Sequence, residues 1–166
     1  METDPPISET NQTTAYVYLS ECHFDKQKMV DFIQKLDHEF VPPLTARGID
    51  IDGYVEKIIS QGDAVLALMQ EKLVGLVTFY CNDLETQMAY LSWTGVDPDR
   101  RGRGISIRLI LKCLEKCRNA GMQLLNVDTW DTNKKMIGIY QKYFNARIVD
   151  REITPLRTVV HIQIEL

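Results

Sequence analysis

The chain has 166 residues, of which 45% are hydrophobic and 25% charged, and its formal charge at pH 7 is −4. This length suits one domain, and the composition is that of an ordinary globular protein, which excludes collagen, coiled coils and largely disordered chains. The mild acidity argues against a protein that mainly binds nucleic acid, and no apolar run approaches the roughly 18–20 residues that a membrane helix needs.

The start of the chain is rich in Pro, Ser, Thr and Asn, and it predicts a disordered leader (residues 1–14) before a single domain (residues 15–166). The leader has neither the basic nor the apolar region of a secretory signal, so we expect a cytoplasmic protein with free thiols. Its four cysteines are Cys22, Cys81, Cys113 and Cys117. Cys113 and Cys117 lie one helical turn apart without further ligands at zinc-site spacing, so we expect packing rather than metal binding.

Residues 15–19 (AYVYL) predict a first strand. The period then becomes helical, and the apolar stripe of the first helix is Met29, Ile33, Leu36 and Phe40. This helix must end before Pro42 and Pro43, because proline cannot continue it. A second helix is predicted over residues 53–60, with Asp52 as its N-cap.

Three β-rich runs follow, over residues 64–69, 73–81 and 87–96. Short polar links join them. Such links imply antiparallel neighbours, because a parallel crossover needs about a dozen residues or more. We therefore expect these three strands to be antiparallel to one another.

The rest of the chain predicts a helix (104–120), a strand (124–130), a helix (133–144) and two strands (146–152 and 158–166). The order β-αα-βββ-α-β-α-ββ predicts an α/β (α+β) fold. Its sheet is mixed and mostly antiparallel, with about seven strands flanked by about four helices. Exposed strand edges in residues 158–166 would leave room for a homodimer.

The most informative stretch is the loop between a predicted strand and a helix, Val96-Asp-Pro-Asp-Arg-Arg-Gly-Arg-Gly-Ile-Ser106. Its glycines let the backbone approach a ligand closely, and the first N–H groups of the helix form an anion site. Arg100, Arg101 and Arg103 add positive charge. The loop therefore predicts a phosphate-bearing ligand, and a pyrophosphate would span it. The alternative is a solvated Arg-rich turn whose glycines serve its geometry alone.

Two common phosphate loops do not fit this sequence. A P-loop needs Lys-Ser or Lys-Thr after its last glycine, and neither follows Gly104. A dinucleotide fingerprint needs a third glycine, where this chain has Ile107. That fingerprint also normally lies on the first strand of a parallel unit, whereas this loop follows about four predicted strands.

A third kind of loop fits. Arg101-Gly-Arg-Gly-Ile-Ser106 resembles the coenzyme A loop of the GNAT superfamily of N-acetyltransferases: Arg or Gln, two residues, Gly, one residue, then Gly or Ala. About thirty residues later, Asn133-Lys-Lys-Met-Ile-Gly-Ile-Tyr140-Gln-Lys-Tyr143 resembles the second signature of that superfamily. The resemblance covers residues 73–145. It departs at Ser106, where Gly or Ala is usual, and at Phe144-Asn145, where the helix usually closes with Gly-Phe.

This resemblance implies acetyl-CoA as co-substrate, no metal, and a general acid, Tyr140, near the thioester sulfur. The cofactor-binding residues that it implies are Val96, Arg101, Gly102, Arg103, Gly104, Ile105, Ser106 and Asn133. It also implies that the strands 87–96 and 124–130 splay apart, and Gly95 is compatible with the bulge that a splay requires. The alternative for Tyr140 is a core role alone, because it belongs to an apolar helical stripe.

The resemblance further implies direct transfer of the acyl group from coenzyme A to an amine in a ternary complex. The attack builds an oxyanion, for which we expect a backbone N–H donor near the end of strand 87–96. The residues leave the general base open. The candidates are Asp37, His38, Glu39 and Asp128, with Ser92 as a position for a water relay.

The acceptor is set by residues 24–62 in such folds. Acidic residues near aromatics suit a small cationic or hydroxylated amine, and a Pro-Pro wall could shape its pocket. The segment resembles that of acetyltransferases acting on small molecules such as amino sugars or amino acids. With the mild acidity and the absence of a long apolar run, we expect no nucleic-acid or membrane partner. The same residues could instead simply cap and pack two helices. A protein N-terminus or lysine as acceptor, a non-catalytic acyl-CoA-binding module and a nucleotide-binding regulator also remain as alternatives.

Overall fold

The computed structural model describes residues 13–166, so residues 1–12 of the predicted leader lie outside the described residues. Over the described residues, the strands are β1 (Thr14–Tyr18), β2 (Asp63–Met69), β3 (Lys72–Tyr80), β4 (Met88–Val96), β5 (Leu124–Trp130), β6 (Arg147–Ile153) and β7 (Thr158–Glu165). The α-helices are α1 (Lys26–Leu36), α2 (Ile51–Gln61), α3 (Ile105–Asn119) and α4 (Lys134–Phe144).

All of these strands belong to one sheet, in the order β1-β2-β3-β4-β5-β7-β6. Every neighbouring pair is antiparallel except β4 and β5, which are parallel. This confirms the predicted mixed, mostly antiparallel sheet. Successive residues of β2 enter two separate cores, one shared with α1 and α2 and the other with α3 and α4. The helices therefore cover both faces, which explains why β2 and β3 are mostly apolar.

The predicted free edge at residues 158–166 is wrong. β7 lies between β5 and β6, and the edge strands are β1 and β6. The physical reason is burial: Val160, Ile162 and Ile164 of β7 lie in the core. An edge position would leave one side of this apolar strand without a partner.

The sheet opens between β4 and β5. These strands pair only over Met88–Leu91 and Leu124–Val127, although each continues beyond that stretch. β4 stays paired with β3 as far as Val96, and β5 stays paired with β7 as far as Trp130. Both sides of the opening are therefore held in place while their facing backbone groups lack a strand partner. This is the splay that the resemblance implied.

The bulge beside the opening lies at Ser92, not at Gly95. The register of β3 with β4 passes from Trp93 directly to Leu91, so Ser92 is the extra residue. Gly95 has a different role, because the Trp93 ring packs over its Cα. An added Cβ there would lie 2.3 Å from Cη2 of Trp93 and 2.9 Å from Cδ1 of Leu36.

We expect Gly95→Ala to lower the free energy of unfolding by about 1–3 kcal/mol, because the added methyl would overpack this contact. Gly138→Ala is the matched control, since a Cβ at this exposed helical position would meet no heavy atom within 4 Å. Alanine should stabilise that helix by about 0.5–1 kcal/mol. Urea unfolding of both variants checks the pair. A Gly95→Ala protein as stable as wild type would contradict the close packing.

Two predicted helix boundaries are wrong. α1 ends at Leu36 and a 3-10 turn follows, so Phe40 is not part of the helix. Asp37 draws the chain out of the helix, because its buried carboxylate accepts from the backbone N–H groups of Leu44 and Thr45 at 2.7 and 3.3 Å. α2 begins at Ile51 with Asp50 as its N-cap, two residues earlier than predicted.

Candidate active site

A cavity of about 500 Å³ lies at the opening between β4 and β5. The ends of these strands form its floor, the loop before α3 forms one wall, and α4 forms another. Its lining includes Phe40, Thr94, Gly95, Val96, Arg101, Gly104, Ser106, Trp130, Asn133 and Met136. The two stretches singled out in the sequence therefore meet in one cavity.

The glycine loop forms the anion-binding end of this cavity. Gly102 and Gly104 both have φ of +76°, the left-handed conformation that glycine adopts without strain, and both have open space on their Cβ side. Gly104 is the N-cap of α3 and has no side chain to cap the helix. The backbone N–H groups of the first turn therefore have no helical partner, and the positive end of the helix dipole faces the cavity.

The cavity lining brings together most of the predicted cofactor-binding residues, namely Val96, Arg101, Gly102, Gly104, Ile105, Ser106 and Asn133. Arg103 is exposed and lies outside the lining. Its neighbour Arg100 lines the cavity instead.

The Arg101 guanidinium already has two hydrogen-bond partners within the protein. Its Nε donates to the carbonyl oxygen of Val96 at 3.1 Å, and its Nη2 is 2.5 Å from Oε2 of Glu39. This side chain therefore joins the end of β4 to the turn after α1. Part of its charge is neutralised by Glu39 before any phosphate arrives.

The backbone at the end of β4 offers hydrogen-bonding groups to the cavity. Asp97 donates its N–H to the carbonyl oxygen of Val74 in the turn toward β3, at 2.8 Å. Because these groups alternate in direction along a strand, Val96 and Thr94 direct theirs away from β3, into the opening. The Thr94 hydroxyl is itself buried, without a hydrogen-bond partner among the described residues.

A second cavity, of about 120 Å³, adjoins the first. The residues that line both are Phe40, Thr94, Trp130, Asn133 and Met136. Tyr140 lines only the smaller cavity and is 2% exposed. Asn133, two helical turns before Tyr140, donates from Nδ2 to Oγ1 of Thr129 at 2.9 Å. The larger cavity thus leads past Asn133 to the smaller one, where Tyr140 lies.

Tyr140 lies in the core and also lines the smaller cavity. Its ring packs in the core beneath the sheet with Phe144. Burial raises the pKa of its hydroxyl above the ordinary value near 10, and the adjacent Thr94 side chain only partly offsets that rise. The hydroxyl therefore stays protonated at neutral pH, as that of an ordinary tyrosine does.

Three of the candidate bases are unsuited to that role by position. Asp37 is a buried structural acceptor that also receives the Thr45 hydroxyl at 2.6 Å. Glu39 pairs with Arg101. His38 is exposed and lines neither cavity.

Asp128 does line the smaller cavity, and its surroundings could not be predicted. Its Oδ1 is 2.7 Å from Nδ1 of His161, and its Oδ2 accepts from the Tyr90 hydroxyl at 3.4 Å. The Asp128 carboxylate raises the pKa of His161. Sequence reasoning missed His161 and Tyr90, because only the register of β5 with β7 and β4 brings them to Asp128.

Ser92, at the bulge, also lines the smaller cavity. Its hydroxyl is hydrogen-bonded to those of Tyr54 and Thr78, and the latter two lie 2.7 Å apart. Burial raises the pKa of Tyr54 to about 12. This chain of hydroxyls leads from the cavity into the core under α2, and no sequence pattern indicated it.

Two arginines on the outer wall of the smaller cavity were also missed. Arg47 follows α1 by about ten residues, and Arg157 lies in the turn between β6 and β7. Neither belongs to a motif, so no local signal could have found them.

Among residues 13–166, no group of three or more His, Cys, Asp or Glu side chains is arranged to hold a metal ion. None of the described helices is both long and apolar enough to cross a membrane.

Comparison with known proteins identifies the same region. The sequence model of the acetyltransferase (GNAT) family matches residues 29–145, more than half of the chain. Among curated proteins, no sequence matches this chain.

Several solved structures share the fold at low sequence identity. An acetyltransferase of the GNAT family from Staphylococcus aureus Mu50 is 18% identical, with a TM-score of 0.70 over 92% of this chain and 99% of that one. The IAA acetyltransferase from Bacillus cereus is 17% identical, with a TM-score of 0.67 over 93% and 100%. A Bacillus subtilis acetyltransferase in complex with CoA is 14% identical, with a TM-score of 0.65 over 93% and 99%.

Proposed function

This chain belongs to the GNAT acetyltransferase family, and from that premise we propose that it transfers an acetyl group from acetyl-CoA to the primary amine of a small molecule. The observation that carries the proposal is the junction of two cavities at the opening of the sheet. The glycine loop lies at the far end of the larger cavity, and Tyr140 lies in the smaller one.

The larger cavity fits coenzyme A in its donor groups. The first-turn N–H groups of α3 and the loop arginines suit a pyrophosphate, which helix N-termini bind through N–H groups and dipole. The outward-facing backbone of Val96 and Thr94 can pair with the amides of a pantetheine arm in place of the missing strand. Gly102 and Gly104 leave the room that the phosphates need.

The residues of the smaller cavity suit acetyl transfer. The acceptor nitrogen must be neutral when it attacks the thioester carbonyl, and the oxygen of that carbonyl gains charge in the transition state. The backbone N–H of Thr94 or Val96 is placed to donate to that oxygen. Tyr140 gives its proton to the departing sulfur, and the new amide bond replaces the thioester bond. Asp128 is the candidate for receiving the amine proton, and Ser92 could position a water that relays it.

The size of the smaller cavity favours a small acceptor. Sites for drug-sized ligands usually occupy about 300–1,000 Å³, whereas this one measures about 120 Å³. Its walls come from α4 and from four strands or turns that are far apart in sequence, and such a small space suits a compact acceptor better than an extended peptide. Cytoplasmic location, a single domain over residues 15–166 and a homodimer stay predictions.

A turnover assay with a panel of amines tests the function. The panel holds free amino acids, amino sugars, simple alkyl amines and a peptide with a free N-terminus, each with acetyl-CoA. We expect release of the coenzyme A thiol with one or more small amines, together with a product heavier by one acetyl group. Turnover of the peptide alone would show a peptide acetyltransferase. Acetyl-CoA binding without turnover of any amine would favour a sensing module.

A further inference from the structure

Two positive side chains meet at the outer wall of the smaller cavity. Arg47 comes from a second 3-10 turn, Thr45–Arg47, and Arg157 comes from the β6–β7 turn, 110 residues later in the chain. Their charges oppose each other, and the proximity of Arg47 contributes, after burial, to lowering the pKa of Arg157. Like charges are held together at a cost unless an anion lies between them.

Arg157 is held in place. Its Nη1 donates to the carbonyl oxygen of Val41 at 2.7 Å, and its guanidinium lies 6.0 Å from the centre of the Trp130 ring. A guanidinium has five N–H donors, so most of the Arg157 fork remains available for a ligand. An arginine oriented in this way binds a planar carboxylate with little further loss of side-chain freedom.

The cavity has an excess of positive charge. In the described part of the chain, none of the ion pairs includes Arg47 or Arg157. Asp128 is the only carboxylate in the lining. Asp128 is already engaged by His161 and Tyr90. The Asp128 charge partly offsets the effect of Arg47 on the pKa of Arg157, so this cavity holds two arginines against one carboxylate.

We propose that the acceptor carries a carboxylate beside its amine, as a free amino acid does, and that Arg47 and Arg157 bind that carboxylate while the amine points toward Tyr140 and the end of β4. This inference rests on the proposed function, because it assigns the acceptor of the same site. It narrows the sequence-based expectation of an amino sugar or amino acid to the amino acid. A cavity of about 120 Å³ with arginines at one end suits a compact molecule that holds both groups.

Matched acceptors test the carboxylate. Each amino acid that is turned over is compared with its amide, with the amine that lacks the carboxylate, and with the aminophosphonate of the same skeleton. We expect kcat/KM for the amino acid to exceed that for the amide and the plain amine by about 10- to 100-fold, as for loss of a charged hydrogen-bond pair. A phosphonate or phosphate amine preferred over the amino acid would overturn the carboxylate assignment, as would equal turnover of the amide.

Variants test the arginines. Arg157→Gln and Arg47→Gln should raise the KM for the amino acid by about 10-fold or more. The KM for its amide and the KM for acetyl-CoA should stay unchanged. Arg151→Gln, on the exposed face of β6, is the control. Arg47 is exposed, so its variant should fold even if Arg157→Gln does not. Equal losses for the amino acid and its amide would contradict a role in binding the carboxylate.

Calorimetric titration of amino acids into the protein saturated with coenzyme A separates this inference from the function. Binding that depends on both arginines, without turnover of any amine, would contradict the proposed function and support the carboxylate site. Turnover confined to amines without a carboxylate would contradict the carboxylate site and support the proposed function.

Discussion

Gly104→Glu should abolish the stabilisation of this protein by acetyl-CoA. Gly104 is the N-cap of α3 and lines the larger cavity with φ of +76°. A glutamate there would place a side chain and a negative charge where the loop is expected to hold phosphates. In the wild type, acetyl-CoA at 100 times its Kd should add about 2.7 kcal/mol to the free energy of unfolding, which is several degrees in Tm.

The control for that variant is Gly121→Glu. Gly121 also has a left-handed backbone, with φ of +84° and open space beside it, but it lies at the other end of α3. Both substitutions cost about 1–2 kcal/mol of backbone strain, so only the loss of the ligand shift distinguishes them. A full acetyl-CoA shift in Gly104→Glu would contradict the assignment of this loop. A shift with ATP or NAD in place of coenzyme A would instead support a nucleotide-binding regulator.

Tyr140→Phe should reduce kcat by about 100- to 10,000-fold, the usual contribution of a positioned general acid. The phenyl ring keeps the core packing of Tyr140, so Tm and the KM for acetyl-CoA should change little. Tyr143→Phe is the matched control, because Tyr143 lies on the same helix and lines the larger cavity but is half-exposed. Unchanged kcat in Tyr140→Phe would leave this tyrosine with its core role alone.

The pH dependence of kcat gives a second check on Tyr140. Burial raises the pKa of its hydroxyl, so the protonated form persists above pH 10, the ordinary midpoint. Deprotonation of Tyr140 should therefore not lower the kcat of the wild type below about pH 10. Any fall of kcat below that pH should also occur in Tyr140→Phe. A fall near pH 8 that disappears in the variant would mean that the environment of Tyr140 lowers its pKa instead.

The loop and helix signatures were predictable because their geometry is local. Two glycines with left-handed backbone precede a helix, and an apolar stripe of period 3.6 places Asn133 and Tyr140 two turns apart on one face. Such features depend on residues within a few positions of each other. The order of helices and strands, and the antiparallel pairing of β2, β3 and β4, followed from periodicity and short links in the same way.

The errors arose where a specific side-chain contact or strand pairing, rather than the local pattern, decides the structure. The end of α1 depends on Asp37, whose carboxylate binds backbone groups of Leu44 and Thr45. The place of β7 inside the sheet depends on its pairing with β5, more than thirty residues earlier in the chain. Gly95 was linked to the bulge, but the Trp93 ring that needs its missing side chain is visible only in the packed structure.

The sequence by itself determined the family resemblance, the order of the elements and the residues of the glycine loop and of α4, because each of these is written in a short stretch of chain. Only the tertiary structure decided which side chains surround the smaller cavity, where we propose that the acceptor binds. Arg47, Asp128, Arg157 and His161 come from three separate segments, and the register of β5 with β7 and the folding of two turns bring them together. Local sequence patterns do not predict such pairings, because packing and strand register set the distances between these side chains.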